Sequence, residues 1–345
     1  QPVRPVPVTM RTIPLGSSGE SVSQLSLGCM LMGTLTDEAT SFGMLDDFVD
    51  KGGTFIDTAN AYCWWNNRGS HGGESEALIG RWFHRTGRRD DVFLATKGSG
   101  LIDDLDAVWD ANGNPDWVAA RQHFDGAGGD NLRRSVDDSL QRLQTDHIDL
   151  YYVHVDDRST PIEETLQALS EVVAAGKVRH IGWSNVRTWR LERIRQLAVA
   201  NGWPVPVAVQ QQHSYLRPRG GLEGNVSVVT DEQLDYLRAE RGMTLVAYSS
   251  LVKGAFDDPA KRDSGVMEPY RGPDSDARFA EVDAIAGEVN ATGGQVVLAW
   301  LLAQCDPAVV ALIGPRTREQ YDSAWPGLTL ELSEEQLARL TSAGR

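Results

Sequence analysis

Four side chains in the first half of the chain have the types and spacing for proton transfer at a carbonyl. Asp57 follows the strand-like run Thr54-Phe55-Ile56, and Tyr62 lies five residues further on. Lys97 ends the run that starts at Val92, and His154 ends the run Leu150-Tyr151-Tyr152-Val153. Tyrosine is a weak acid, with an ordinary pKa of ~10, and needs help to donate near neutral pH. A lysine cation beside it favours the phenolate, since unit charges ~4 Å apart gain ~4 kcal/mol at an effective dielectric of ~20. That gain is expected to outweigh burial and to lower the Tyr62 pKa, provided that Lys97 stays charged. Asp57 is expected to keep it charged and in place. His154 is expected to donate a hydrogen bond to the substrate oxygen, with its tautomer left open. Singly, each has a plainer explanation: a turn-forming aspartate, a packing tyrosine, a core histidine. Lys97 is the hardest to dismiss, because an ammonium at the end of an apolar strand must find something polar.

The elements that must bring these residues together are strands. From residue 24 onward, short apolar runs (24–31, 54–59, 91–97, 147–155, 178–184, 205–211, 243–249 and 309–313) alternate with helical stretches (37–51, 74–85, 131–143, 162–175, 188–200, 231–240 and 276–290). Ile162, Leu166 and Leu169 show the apolar face of a helix lying on a sheet. Strand–helix alternation implies parallel strands joined by right-handed crossovers. Eight such units predict a (β/α)8 barrel of the TIM type. A doubly wound sheet would carry G-x-G-x-x-G after its first strand. Here that position reads LGCMLMGT, the GAGGD at 126–130 follows no strand, and there is no P-loop.

Consecutive strands of a parallel barrel lie ~4.8 Å apart. Asp57, Lys97 and His154 are therefore expected in a row at the C-terminal mouth, the pole where barrels place catalysis, with Tyr62 on the loop above. Two long loops, 98–130 with Trp109 and Trp117, and 252–275, leave strands at that same pole. Loops of this length are expected to act as lids or binding elements. Trp64 and Trp65 follow Tyr62 and are the expected substrate-pocket residues, suited to stacking on flat apolar, aromatic or sugar groups. The alternative is that one of them packs against the second helix.

The composition narrows the partners. The chain has 33 Lys and Arg against 48 Asp and Glu, for a net charge of −15, a field that disfavours nucleic acid and anionic membrane alike. The three cysteines are few, odd in number and without metal spacing, so a reducing cytoplasm and no metal are expected. No apolar run approaches the ~18 residues of a membrane span. Residues 1–9 read as a flexible or extraneous tail ahead of a single barrel domain spanning 10–345.

The motifs carrying these residues resemble the aldo-keto reductase superfamily over essentially all of 10–345. They are GGTFIDTANAY around Asp57 and Tyr62, TKG at Lys97, YYVH at His154, GKVRHIGWSN at 176–185, AVQQQHS at 208–214, LVAYSSL at 245–251 and IGPRTREQY at 313–321. The opening GSSGESVSQLSLG resembles the family's N-terminal hairpin, which plugs the bottom of the barrel. The resemblance implies NADPH-dependent reduction of an aldehyde or ketone, with Tyr62 as acid and Asp57, Lys97 and His154 completing a tetrad. It further implies that Ser184, Asn185 and Gln210 hold the nicotinamide carboxamide and that Tyr248 stacks on the ring. Ser249 and Leu251 fall at the pyrophosphate, and Gly28, Cys29 and Met30 at the cofactor near the tetrad. Gly314, Arg316 and Gln320 fall at the far end of the cofactor, with Arg316 at the 2′-phosphate. His213 stands where many relatives have tyrosine, and Ser323-Ala324 where many have Glu-Asn, so adenine recognition is expected to be weaker or differently made. The resemblance also leaves a cofactor-bound regulatory subunit as an alternative, and Lys97 alone leaves a Schiff-base lyase.

Overall fold

Apolar runs of three to seven residues separated by helices leave each strand to pair with its sequence neighbour in parallel, and the sheet closes on itself. The computed structural model describes residues 10–220 and 226–345; the expected tail, 1–9, lies outside the described residues. A hairpin of β1 (Thr12–Pro14) and β2 (Ser21–Ser23) precedes the barrel. The barrel strands are β3 (Leu25–Gly28), β4 (Phe55–Asp57), β5 (Phe93–Gly98), β6 (Ile148–Val153), β7 (Val178–Ser184), β8 (Ala208–Gln212), β9 (Thr244–Tyr248) and β10 (Val309–Ile313). They run in chain order around a closed ring, with β10 returning to β3. The predicted (β/α)8 barrel is the observed fold.

The helices outside are α1 (Glu38–Asp50), α2 (Glu74–Thr86), α3 (Trp117–Ala120), α4 (Gly129–Leu143), α5 (Ile162–Ala174) and α6 (Thr188–Asn201). They continue with α7 (Asp231–Ala239), α8 (Pro259–Arg262), α9 (Pro273–Val289), α10 (Gly293–Leu302), α11 (Arg318–Thr329) and α12 (Glu334–Ser342). The sequence reading passed over α10. Its GGQVVLAWLL is apolar on nearly every side, because α10 is covered by α9 as well as by the barrel and α11, and such a helix loses its amphipathic signature.

Alternation along the strands sorts side chains into two sets. One set faces the helices and forms the large outer core with Leu27, Ile56, Leu94, Tyr151 and Ile181. The other fills the barrel interior with Phe55, Phe93, Ala95, Leu150, Tyr152, Ala208, Val246 and Val310, closed below by Leu15 and Val22 of the hairpin. The hairpin is tied there by Gly16 N–H to Thr244 Oγ1 (2.7 Å) and Ser17 N–H to the Gly242 carbonyl (2.9 Å). Gly16, at φ +49°, has room for no Cβ, which would lie 2.3 Å from both the Gly242 and Val207 carbonyl oxygens.

Several strands are shorter than their apolar runs. The run at 205–211 begins its ladder only at Ala208, since Pro204 and Pro206 bring no N–H. The run at 54–59 is strand only to Asp57, yet Thr58 N–H still reaches the Ala95 carbonyl (2.9 Å) and Asn60 N–H the Lys97 carbonyl (3.1 Å). The long loops are ordered by their own contacts. Loop 98–130 carries short bridges from Ile102 to Phe124 and from Trp109 to Pro115, and loop 252–275 carries single helical turns.

Candidate active site

The interior set ends at the C-terminal mouth in polar residues. Phe55 is followed two places on by Asp57, Ala95 by Lys97, Tyr152 by His154, Gly182 by Ser184, Ala208 by Gln210 and Val246 by Tyr248. Six strands thus deliver six polar side chains to one layer, because each repeats its inward direction every second residue. The row is not level, as had been expected. Asp57 pairs with Ala95, and Lys97 pairs with Tyr152, so the row climbs two residues from Asp57 to Lys97 and two more to His154, whereas Ser184 pairs level with Gln210. This stagger is the shear of a closed barrel. His154 stands one residue beyond β6 rather than within it.

Lys97 is fully buried, and its long stem bridges the stagger. Its Nζ donates to Asp57 Oδ1, to the Thr58 carbonyl (2.8 Å) and to Tyr62 Oη (2.9 Å). The second Asp57 oxygen accepts from Gln210 Nε2 at 2.8 Å. Gln210 thereby gives one amide N–H to the carboxylate, and its Oε1 and second N–H remain for another ligand. Burial pushes Lys97 down and Asp57 up, each opposed by the other's charge. Full hydrogen bonding of both favours the ion pair over its neutral form.

Tyr62 behaves otherwise than the sequence suggested. Burial pushes its hydroxyl well above the ordinary value, and the Asp57 charge pushes the same way. The lysine was expected to win. It does not, because its charge is matched by Asp57 and the phenol is desolvated by the protein around it. Tyr62 consequently holds its proton at neutral pH.

Burial, with the Lys97 charge second, takes His154 down to about 3, so the imidazole is neutral. Its ring stands perpendicular to that of Tyr62, with centroids 5.6 Å apart, and Nδ1 has no partner among the described residues. The peptide of His154 is fixed from both sides. Ser99 Oγ accepts its N–H at 3.1 Å, and Asn185 Nδ2 donates to its carbonyl at 3.0 Å. Ser99 and Thr58 escaped the sequence reading. Thr58 contributes a backbone carbonyl, which no side-chain pattern announces. Ser99 acts from a left-handed conformation (φ +81°) that a serine rarely adopts.

The other expected residues divide. Asn185 (φ +55°) accepts the Tyr248 hydroxyl on Oδ1 at 2.6 Å and also reaches Ser184 Oγ at 3.2 Å, so these three form one polar group. Ser249, Val252 and Lys253 all have positive φ and, with half-buried Leu251, fold the chain tightly over the mouth. A β-branched residue at φ +45°, as at Val252, is strained. Gly28 lies close to β10, where a Cβ would meet Leu312 Cδ2 at 2.6 Å and the Ile313 carbonyl oxygen at 3.1 Å. Cys29 N–H donates to the Asp57 carbonyl (2.8 Å), and Cys63 Sγ contacts the Met30 carbonyl (3.1 Å). Burial pushes both thiols up, which makes them inert packing residues.

At the far end, Gly314 and Arg316 are exposed, and Arg316 has no ion pair among the described residues. Arg318, in contrast, is bound to Asp47 and Asp322. Gln320 serves as a helix cap: its Oε1 accepts the N–H groups of Arg316 (2.8 Å) and Thr317 (3.4 Å). Two N–H groups at the start of α11 are therefore already taken by Gln320.

Trp64 does not pack against α2. It is buried under the long loop, with Trp117 at 5.0 Å and Trp109 at 6.4 Å between ring centroids. Trp65 is half-buried and stands edge-on to Tyr62 at 6.5 Å.

A buried lysine–aspartate pair is hydrogen-bonded to a tyrosine on which a neutral histidine packs, at the C-terminal pole of the barrel, an arrangement suited to proton transfer at a small polar ligand. The aldo/keto reductase family model matches residues 24–345, and the chain belongs to that family. An uncharacterized oxidoreductase of Bacillus subtilis, YrpG, is 34% identical over 94% of this chain and 93% of its own. Norsolorinic acid reductase A of Aspergillus parasiticus is 32% identical over 99% of this chain and 84% of its own. A thermostable aldo-keto reductase, Tm1743, solved with the inhibitor epalrestat, superposes with a TM-score of 0.69 at 28% identity, covering 96% of this chain and 99% of that one. The chain is accordingly an oxidoreductase of a family that acts on small carbonyl compounds and generally uses nicotinamide cofactors. No helix among the described residues is long and apolar enough to cross a membrane.

Proposed function

We propose that this protein, working as one cytoplasmic barrel unit over 10–345, reduces an aldehyde or ketone to an alcohol with NADPH and that Tyr62 supplies the proton. The observation that carries this reading is the buried Lys97 ammonium, held by Asp57 and Thr58, donating to Tyr62 Oη at 2.9 Å.

The residues present suit the cofactor. Asn185, Ser184 and the free Oε1 of Gln210 offer the donors and acceptors a carboxamide needs. Arg316 offers an uncommitted planar cation for a phosphate, and Ser249 and Leu251 lie on the tight turn between. When bound there, a reduced nicotinamide would supply the hydride for the carbonyl carbon. The chain's own residues do the rest. Tyr62 keeps its proton until negative charge grows on the carbonyl oxygen, then transfers it from Oη. Lys97, already hydrogen-bonded to Oη, stabilises the resulting phenolate. His154, neutral, positions the oxygen. Asp57 touches no substrate and fixes Lys97.

A Schiff-base role for Lys97 is disfavoured, because its Nζ is committed to three acceptors. The test is a panel of aldehydes, ketones and sugars followed by NADPH absorbance, with NADH in parallel. Steady turnover of simple aldehydes is expected. Cofactor binding without turnover of any carbonyl would favour the regulatory alternative.

A further inference from the structure

Four of the ten tryptophans gather beside Tyr62. Two come from the segment after β4 and two from the long loop after β5. Trp64, 2% exposed, is the floor, with Ile102, Val108 and Ala120 packed around it. Trp117 rests on Trp64 and also on Trp65, at 5.6 Å and 44° from the latter. Trp65 in turn stands at 90° to Tyr62. The loop is thus pinned by its own indoles, and one continuous aromatic surface runs from Tyr62 outward. Its outer member, Trp117, is 40% exposed, so part of the indole is open next to the half-buried Trp65.

The same loop carries charge of one sign. Between residues 99 and 128 stand Asp103, Asp104, Asp106, Asp110, Asp116 and Asp125 against a single cation, Arg121. Several of these aspartates cap turns, as Asp116 caps α3 and Asp110 accepts the Asn112 and Asn114 N–H groups, but their charge remains. Arg68, stacked over Trp109 at 5.2 Å, is the nearby cation from the facing segment.

We propose that Trp65 and Trp117 form a stacking wall that makes the enzyme selective for planar aromatic carbonyl compounds without an acidic group. This rests on the reading of Tyr62 as the point where the carbonyl docks. A flat ring system whose carbonyl meets Tyr62 Oη extends along Trp65 and covers the exposed face of Trp117. A puckered ring of equal size cannot lie flat on either. A carboxylate carried outward on the ring meets the aspartates of the loop, at a cost that salt would screen.

The test compares 2-naphthaldehyde with decahydronaphthalene-2-carbaldehyde, which share a carbon skeleton but differ in planarity. Binding of each is measured by calorimetry with oxidised cofactor present, where no reduction can occur, and turnover is measured with reduced cofactor. The flat aldehyde is expected to bind about tenfold tighter or better, and Trp117→Ala to cut that ratio about five- to tenfold, the size of one aromatic contact. Trp117→Phe, which keeps a ring to hold the loop, should retain most of the ratio. 6-Formyl-2-naphthoate should have a lower kcat/KM than its methyl ester, with the gap narrowing as salt is added. Equal binding of the two aldehydes, or a ratio unmoved in Trp117→Ala, would overturn the wall while leaving carbonyl reduction intact. Selective binding of the flat aldehyde without reduction by either cofactor would support the wall and count against Tyr62 as donor.

Discussion

The tetrad was legible because each member ends an apolar strand, where a polar side chain is conspicuous. Its energetics were not. The sequence shows Lys97 as a charge beside Tyr62, whereas in the fold that charge is matched by Asp57 and the phenol is desolvated. Tyr62→Phe removes the proton and leaves the rest of the cluster. Turnover should fall by more than tenfold, a loss above ~1.4 kcal/mol of transition-state stabilisation, with NADPH affinity little changed. A variant that keeps more than a tenth of the wild-type rate would remove Tyr62 from the role. Arg316 makes a second test at this scale. It is exposed, has no ion-pair partner among the described residues, and sits one residue ahead of the Thr317 cap of α11, where a 2′-phosphate is expected. Arg316→Ala should weaken NADPH about ten- to a hundredfold, the worth of one charged hydrogen bond, and leave NADH nearly untouched. Equal losses for both cofactors would make Arg316 a loop-shaping residue instead.

At the scale of elements, the barrel was readable from its alternation, and the inward face could have been counted off from Phe55, Asp57, Ala95 and Lys97 alone. Ends and exceptions were harder. Pro206 looked like part of an apolar strand, and α10 had no polar face to betray it. The indoles of loop 98–130 were visible, but nothing in the sequence said that they meet Trp64. Close packing between elements was equally hidden. Gly98 ends β5 next to Lys97, and a Cβ there would lie 2.0 Å from the Tyr151 hydroxyl and 3.3 Å from Ser135 Cβ. That hydroxyl is buried with no partner among the described residues. Gly98→Ala should therefore destabilise the protein by about 1–3 kcal/mol through overpacking, seen as a lower urea midpoint at constant slope. Tyr151→Phe removes the obstructing oxygen, and the double variant should recover part of the loss. Strict additivity of the two changes would mean that the strain lies elsewhere.

For the molecule as a whole, the net charge of −15 makes local cations such as Arg316 necessary for an anionic cofactor, and three half-buried histidines shape its response to acid. Burial takes His154 from 6.5 down to about 3 and His213 from 6.5 down to about 4, and lowers His180 too. Nearby cations act in the same direction: Lys97 on His154, Arg217 on His213. These are bases whose folded pKa is depressed. As pH falls below about 6.5 the unfolded chain takes up protons that the folded chain refuses, so stability is full above that value and is lost on the way down to about 4 and then 3. Asp57 and Asp125, whose pKa values burial raises, act in the opposite sense, because their folded forms take up protons first. The contribution of one histidine is isolated by difference. Between pH 6 and pH 5 a single histidine changes stability by up to ~1.4 kcal/mol per pH unit. Urea unfolding at stepped pH should show wild-type stability declining through this window, and His213→Asn should flatten the decline by about that slope. His213 donates its backbone N–H to the Tyr248 carbonyl, and its ring centroid lies 6.3 Å from that of Trp300, so the substitution keeps the backbone contact and removes the ring. Parallel pH curves for the variant and the wild type would show that His213 is not held neutral by its surroundings.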